Sequence, residues 1–99
     1  MNAFGIVIFK GKNNKPWINE QPFETMDRIV NEIYSLQIDD PNDIQSILWI
    51  DEFERWSDVT EKVAKFVWEI YDCNDEYCYM DTIKWFQTFG LPADHFGAR

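Results

Sequence analysis

Ile44-Gln45-Ser46-Ile47-Leu48-Trp49-Ile50 is the stretch on which the reading of this chain turns. It is β-branched and aromatic, and the breaker Asp40-Pro41-Asn42-Asp43 bounds it upstream. That combination predicts a strand. Successive strand residues point to opposite faces. Ile44, Leu48 and Ile50 fall on one face, and Ile47 and Trp49 on the other, so both carry bulk. Such a strand is predicted to be central in its sheet, or covered on both sides.

Working outward, residues 3–10 (Ala-Phe-Gly-Ile-Val-Ile-Phe-Lys) make a second strand ending at Gly11. Asn13-Asn14 is a turn signal, because Asn tolerates positive φ. Pro16-Trp17-Ile18 then restarts an extended segment, completing a β-hairpin with a basic tip. Phe23, Met26, Ile29, Val30, Ile33 and Tyr34 recur at helical spacing, with Pro22 in the first turn. A second helix runs from about Ser57 to Tyr71 on the stripe Val59, Val63, Phe66, Val67 and Ile70. Ser57 or Asp58 caps it, and Glu61 completes a capping box with Asp58. Residues 73–80 read as either a short strand or a loop holding Tyr77 and Tyr79. Asp81 caps a short helix through Phe89, which Gly90 and Pro92 stop. The expected fold is a single α+β domain over residues 1–99. It is a small sandwich of about three strands, antiparallel or mixed. Two main helices lie on one face, with a short C-terminal helix in the order β-β-α-β-α-α.

Composition bounds what such a domain does. Of its 99 residues 45% are hydrophobic and 17% aromatic, far richer than a disordered tail, so the chain folds. Eighteen Asp and Glu face nine Lys and Arg, a net charge of −9, and every acid follows Lys15. A nucleic-acid binder needs the opposite sign, as does a binder of anionic membranes. The expected partner is a basic protein surface, met by a monomer. No apolar run approaches the roughly 20 residues of a membrane span, and no basic n-region opens the chain. The expected location is the cytoplasm. Cys73 and Cys78 are not spaced as Cys-x-x-Cys; they could form one bridge, and we read them as two reduced thiols.

Convergent chemical groups are scarce. His95 is the only His and lies near the end, so neither a nucleophile–His pair nor a His-paired zinc site is expected. Asp39, Asp40 and Asp43 lack the Gly-centred twelve-residue loop of a calcium hand, and the scattered glycines form no phosphate cradle. A chain this short leaves little room for the cleft that paired glycosidase carboxylates flank. We expect no enzyme, no cofactor and no metal.

The acids themselves are patterned. Asp39, Asp40, Asp43, Asp51, Glu52 and Glu54 form one run without a base, and Glu69, Asp72, Asp75, Glu76 and Asp81 form another. Glu24 and Asp27 lie on the polar side of the first helix. Solvated faces that keep an aromatic-rich domain soluble mix their signs, as helix 57–71 does; these runs do not. Carboxylates one helical turn apart are about 5–6 Å apart, comparable with successive phosphates along a strand of DNA. Trp49, Phe53, Trp56, Tyr77 and Tyr79 lie nearby as candidate anchors, with core packing the stronger expectation for Trp49 and Phe53.

In this pattern the chain resembles the small inhibitors of bacterial defence made by phages and mobile elements. One group is the anti-CRISPR proteins that block type I surveillance complexes, some by imitating target DNA. The other is the ArdA family of antirestriction DNA mimics. There a Trp-Ile-Asp-like element precedes a helix, and a second Trp-containing strand leads to an acidic, aromatic turn. Trp17-Ile18-Asn19-Glu20 and Ile47-Leu48-Trp49-Ile50-Asp51-Glu52-Phe53-Glu54 occupy those two places, over residues 16–72. Asn19 replaces the acid, no glycine follows Glu54, and the chain is shorter than an ArdA protein, which favours the anti-CRISPR likeness. The resemblance implies that Glu24, Asp27, Asp39, Asp40, Asp43, Asp51, Glu52, Glu54, Asp72, Asp75 and Glu76 pair with Lys and Arg of a DNA-binding groove. Alternatives with the same electrostatics are an immunity protein against a basic nuclease toxin and an antirestriction mimic. A phage structural subunit instead needs an exposed apolar patch, expected around Trp85, Phe86, Phe89 and Phe96.

Overall fold

The computed structural model describes residues 2–11, 13, 15–18, 21–35, 37–38, 40–71 and 80–93. Strand β1 (Phe4–Phe9) pairs with β2 (Trp17–Ile18) and, on its other side, with β3 (Ile44–Ile50). All pairings are antiparallel, and Asn13, at φ 60°, turns the first hairpin as its residue type predicts. The sheet has four strands rather than about three, in the order β2-β1-β3-β4. The addition is β4 (Trp56–Asp58), which folds back on β3 with Trp56 opposite Ile50 and Asp58 opposite Leu48. Those residues were expected to open the second helix. Helix α2 instead spans Thr60–Ile70, where the Asp58 carboxylate accepts the Thr60 N–H at 2.9 Å and also its hydroxyl proton. The capping residue is Val59, which offers no side-chain cap, so neither the expected Ser57 or Asp58 cap nor the capping box with Glu61 forms; Asp58 holds Thr60 from the short strand ahead of the helix.

Helix α1 (Met26–Tyr34) is capped by Thr25, whose hydroxyl accepts the Arg28 N–H at 3.2 Å. Pro22 and Phe23 precede the helix rather than joining its first turn. Phe23 is buried and bridges to Gly5 through two backbone hydrogen bonds of 2.8 and 2.9 Å. Helix α3 (Met80–Thr88) places Asp81 in its first turn, and Gly90 at φ 72° ends it. The Leu91 N–H returns to the Phe86 carbonyl at 3.1 Å, a C-terminal lock only a left-handed residue allows.

One face of the sheet is the core. Gly5, Val7 and Phe9 are buried alternately along β1, opposite Trp49, Ile47 and Ile44 of β3. A register shift between Ile8 and Phe9 lets Ile44 join that face. Ile29 and Ile33 of α1 and Val63 and Val67 of α2 close over it, with Phe86 of α3 beside them. A Cβ on Gly5 would lie 2.6 Å from Ile29 Cδ1, so α1 approaches the sheet only because that position is glycine. Trp85 and Phe86 belong to this core and Phe89 is half-buried, so the apolar patch expected there is not a surface. Phe96 lies outside the described residues, as do Cys73, Cys78, His95 and residues 72–79.

The other face carries apolar side chains too, as expected for a strand central in its sheet. Phe4, Ile6 and Ile8 share it with Leu48, Ile50, Ile18 and Trp56, and no described helix packs across it. β3 is central in its sheet, and among the described residues the helices cover one of its faces.

Candidate functional site: the β3–β4 hairpin and the carboxylate groups around it

Asp51 builds the turn between β3 and β4. Its Oδ1 accepts the backbone N–H groups of Phe53 and Arg55, each at 2.9 Å, and Oδ2 accepts Arg55 Nε at 3.1 Å. Its own N–H donates to the Arg55 carbonyl at 2.8 Å, and the Glu54 N–H donates to the Asp51 carbonyl at 3.0 Å. Glu54 takes φ 64° to close the turn. The Arg55 backbone N–H, followed by that of Phe53 and by the guanidinium charge, holds the Asp51 carboxyl below its ordinary 3.8 against a partial desolvation. Asp51 is thus engaged within the turn instead of being free for a partner.

The same bracing presents its neighbours outward. Glu52 and Glu54 are exposed, and Phe53 is 69% exposed, which corrects its expected place in the core. A side chain at a turn apex has no element above it to pack against. The Arg55 guanidinium lies 5.1 Å from the centre of the Phe53 ring and steadies it. Trp56, also 69% exposed, lies on the sheet face that the described helices leave open. Trp49 packs against the core as expected. Tyr77 and Tyr79 lie outside the described residues.

The remaining acids do not stay in the runs the sequence shows. Asp40 and Asp43 flank a 3-10 turn (Pro41–Asp43) at the opposite end of β3 from Glu52 and Glu54. A strand rises about 3.3 Å per residue, so the two ends are about 20 Å apart. Asp40 Oδ1 accepts the Asn42 N–H at 2.9 Å and Nδ2 at 3.0 Å, and Asn42 Nδ2 also donates to the Asp81 carbonyl at 2.7 Å. The backbone of Asp81, from the second run, is therefore tied to the turn that holds Asp40 and Asp43. Asp58 and Glu61, which the sequence reading did not place in the site, line a cleft of about 480 Å³ with Asn42, Gln45 and Lys10. Only their proximity across β3 and β4 reveals them, and no sequence spacing does.

A third group forms on the helices. Asp27 and Glu69 flank a cleft of about 310 Å³ floored by Val30, Phe66 and Ile70, and Glu24 precedes α1 on the same end. Asp39, Asp72, Asp75 and Glu76 lie outside the described residues. Among the described residues the ion pairs are Arg28–Glu32 at 3.7 Å and Arg55–Asp51 at 3.1 Å. Glu24, Asp27, Asp40, Asp43, Glu52, Glu54, Asp58, Glu61, Glu69 and Asp81 have no cationic partner there. Nor do Glu61, Lys65 and Glu69 pair along α2. No group of three metal-ligating side chains converges among the described residues, and no helix there is long and apolar enough to cross a membrane.

Electrostatically the chain offers three sets of unneutralised carboxylates on a hydrogen-bonded scaffold: the hairpin apex, the turn before β3, and the α1–α2 cleft. Comparison with protein-family models, curated proteins and solved structures finds no match.

Proposed function

We propose that this protein is a non-catalytic inhibitor of a CRISPR-Cas surveillance complex that acts as a DNA mimic. Its carboxylates occupy the basic groove that would hold target DNA, and the duplex is excluded. The observation that carries this reading is the set of exposed carboxylates without cationic partners, spread over a braced scaffold. Unpaired like charges cost stability through self-repulsion, and a basic groove relieves that cost on binding. The spacing of about 20 Å between the two ends of β3 corresponds to roughly three to four successive phosphate steps along one DNA strand. Because Asp51 and Asp40 fix the turns that carry Glu52, Glu54 and Asp43, little ordering entropy is lost on binding. Phe53 supplies an anchor that charge alone lacks. On this reading the protein works in the cytoplasm of the host bacterium, as part of a phage or mobile element.

The second reading, an immunity protein against a basic nuclease toxin, is favoured by Phe53 itself. An exposed aromatic beside two acids suits a pocket in a protein more than a phosphate channel. The gene neighbour separates the two, since an adjacent toxin gene accompanies immunity and phage or transfer genes accompany anti-defence.

The test is a competition assay. Purified type I surveillance complex is mixed with this protein, then with labelled target DNA, at roughly 50 and 200 mM salt. Loss of DNA binding that weakens at the higher salt is the expected result. DNA binding left intact at both salts removes this mechanism for the complex tested.

A further inference from the structure

The two helices that close over the sheet leave a cleft between them whose floor charge alone does not explain. Each helix contributes a triplet at positions i, i+3 and i+4, the spacing that sets side chains on one helix face. The triplets are Asp27, Val30 and Asn31 of α1 and Phe66, Glu69 and Ile70 of α2, around about 310 Å³. Val30 is buried, whereas Phe66 at 40% and Ile70 at 48% exposure stand open to solvent. No Lys or Arg lines this cleft. Its charged members are Asp27 and Glu69, one from each helix, both exposed and without a cationic partner among the described residues. A DNA-like surface needs charge and no apolar floor, so this cleft suits a different occupant.

We infer that the α1–α2 cleft docks a basic amphipathic helix of a partner protein. Its apolar side chains sit on Phe66 and Ile70, and its Lys or Arg side chains reach Asp27 and Glu69. Shape and charge together name that occupant. A groove between two packed helices accepts the ridge of a third, and an amphipathic helix is read through anchors at the i, i+3 and i+4 spacing that both walls show. The cleft is at the small end of the roughly 300–1,000 Å³ of ligand pockets, and its walls are exposed. It therefore suits an anchor side chain carried on a helix better than an enclosed small molecule. A second copy of this chain, at net charge −9, sets mainly like charge against Asp27 and Glu69, and so does an anionic membrane. A basic helix brings the opposite charge beside its apolar face, and its Lys or Arg stems cover further apolar surface. Burial of Phe66 and Ile70 supplies affinity, while the two acids select the sign of the partner.

The probe is a labelled synthetic peptide of roughly 18 residues, with Leu at helical spacing on one face and Lys on the other. Its fluorescence anisotropy is titrated with the full chain, and a Kd of roughly 1–50 μM is expected. A peptide with every Leu replaced by Gln keeps the charge, and is expected to bind at least about tenfold more weakly. Phe66→Ala with Ile70→Ala alters only exposed side chains, and is expected to weaken the Leu–Lys peptide about tenfold with native circular dichroism. Asp27→Asn with Glu69→Gln leaves the apolar floor in place, and is expected to weaken it several-fold. Glu52→Gln with Glu54→Gln removes the same charge from the hairpin apex and is expected to bind as the parent does. The Asp27 and Glu69 pair decides the case even where the alanine pair disturbs the fold. A Leu–Lys peptide left unbound at roughly 500 μM protein overturns the inference. So does equal weakening by the Asp27–Glu69 and Glu52–Glu54 pairs, which marks general attraction to an acidic chain. Full affinity in a folded Phe66 and Ile70 variant overturns it as well. None of these results bears on groove inhibition, which rests on Glu52, Glu54 and Asp43 and is read by DNA competition.

Discussion

At the Ile44 end of β3, Asp40 accepts two hydrogen bonds from Asn42, Asn42 reaches the Asp81 carbonyl of α3, and Lys10 donates its N–H to the Asp43 carbonyl at 2.7 Å. The carboxylate chemistry there ties a turn to two neighbouring elements. At the Ile50 end, Asp51 performs the same service for its own turn alone, and what it holds up is Glu52, Phe53 and Glu54, which touch little else. The difference teaches that acids in one sequence run divide by job. One aspartate at each end spends its oxygens on backbone N–H groups, and its neighbours Asp43, Glu52 and Glu54 have no cationic partner among the described residues.

The comparison is broken most severely at the seam between the ends. The Thr60 hydroxyl is buried, accepts the Ile47 N–H at 2.8 Å, and donates to Asp58. Thr60→Val leaves the Ile47 N–H without an acceptor in the core, at a cost of about 2–3 kcal/mol. Urea unfolding would show a lower midpoint with the same slope. Next in size, Asp40→Ala removes the cap of the 3-10 turn and costs about 1 kcal/mol, because that end is stitched to the fold. Asp51→Asn, by contrast, is expected to loosen only the hairpin. Hydrogen exchange at Phe53 and Arg55 would quicken while the global midpoint barely moves.

The pH dependence follows with a definite sign. The folded-state pKa of Asp51 is lowered, so its bracing is fully present above the unfolded value near 3.8 and is lost as pH falls through the depressed folded value. Protection of those two amides is expected to hold from neutral pH down to about 4 and to fall below that. The smallest effect belongs to Glu52→Gln with Glu54→Gln. Both side chains are exposed and unpaired, so stability should shift by less than about 0.5 kcal/mol.

Much of this architecture is written in local pattern. The β-branched run through Val7 predicts its strand, and the helical spacing of Ile29, Val30 and Ile33 and of Val63 and Val67 predicts the helix and the buried face found, whereas Phe66 and Ile70 of the second stripe and Tyr34 of the first prove exposed. β4 is hidden because three residues carry no periodicity, and Ser57-Asp58 ahead of Glu61 imitates a helix start. Phe53 misleads because hydrophobicity says nothing about whether a turn apex has a roof, and Trp85 because a helix end can be core. The carboxylate groups are the hardest to foresee. The Asp81 backbone carbonyl is tied to Asp40 through Asn42, and Asp27 and Glu69 line one cleft between two helices, placements that only tertiary packing creates.

The most direct test of the account sets the hairpin apex against its brace in the DNA-competition assay. Glu52→Lys with Glu54→Lys leaves Asp51 and the turn in place while turning attraction into repulsion toward a basic groove. The account predicts about tenfold or greater loss of inhibition at low salt, with the unfolding midpoint unchanged. Undiminished inhibition by this folded variant would contradict it.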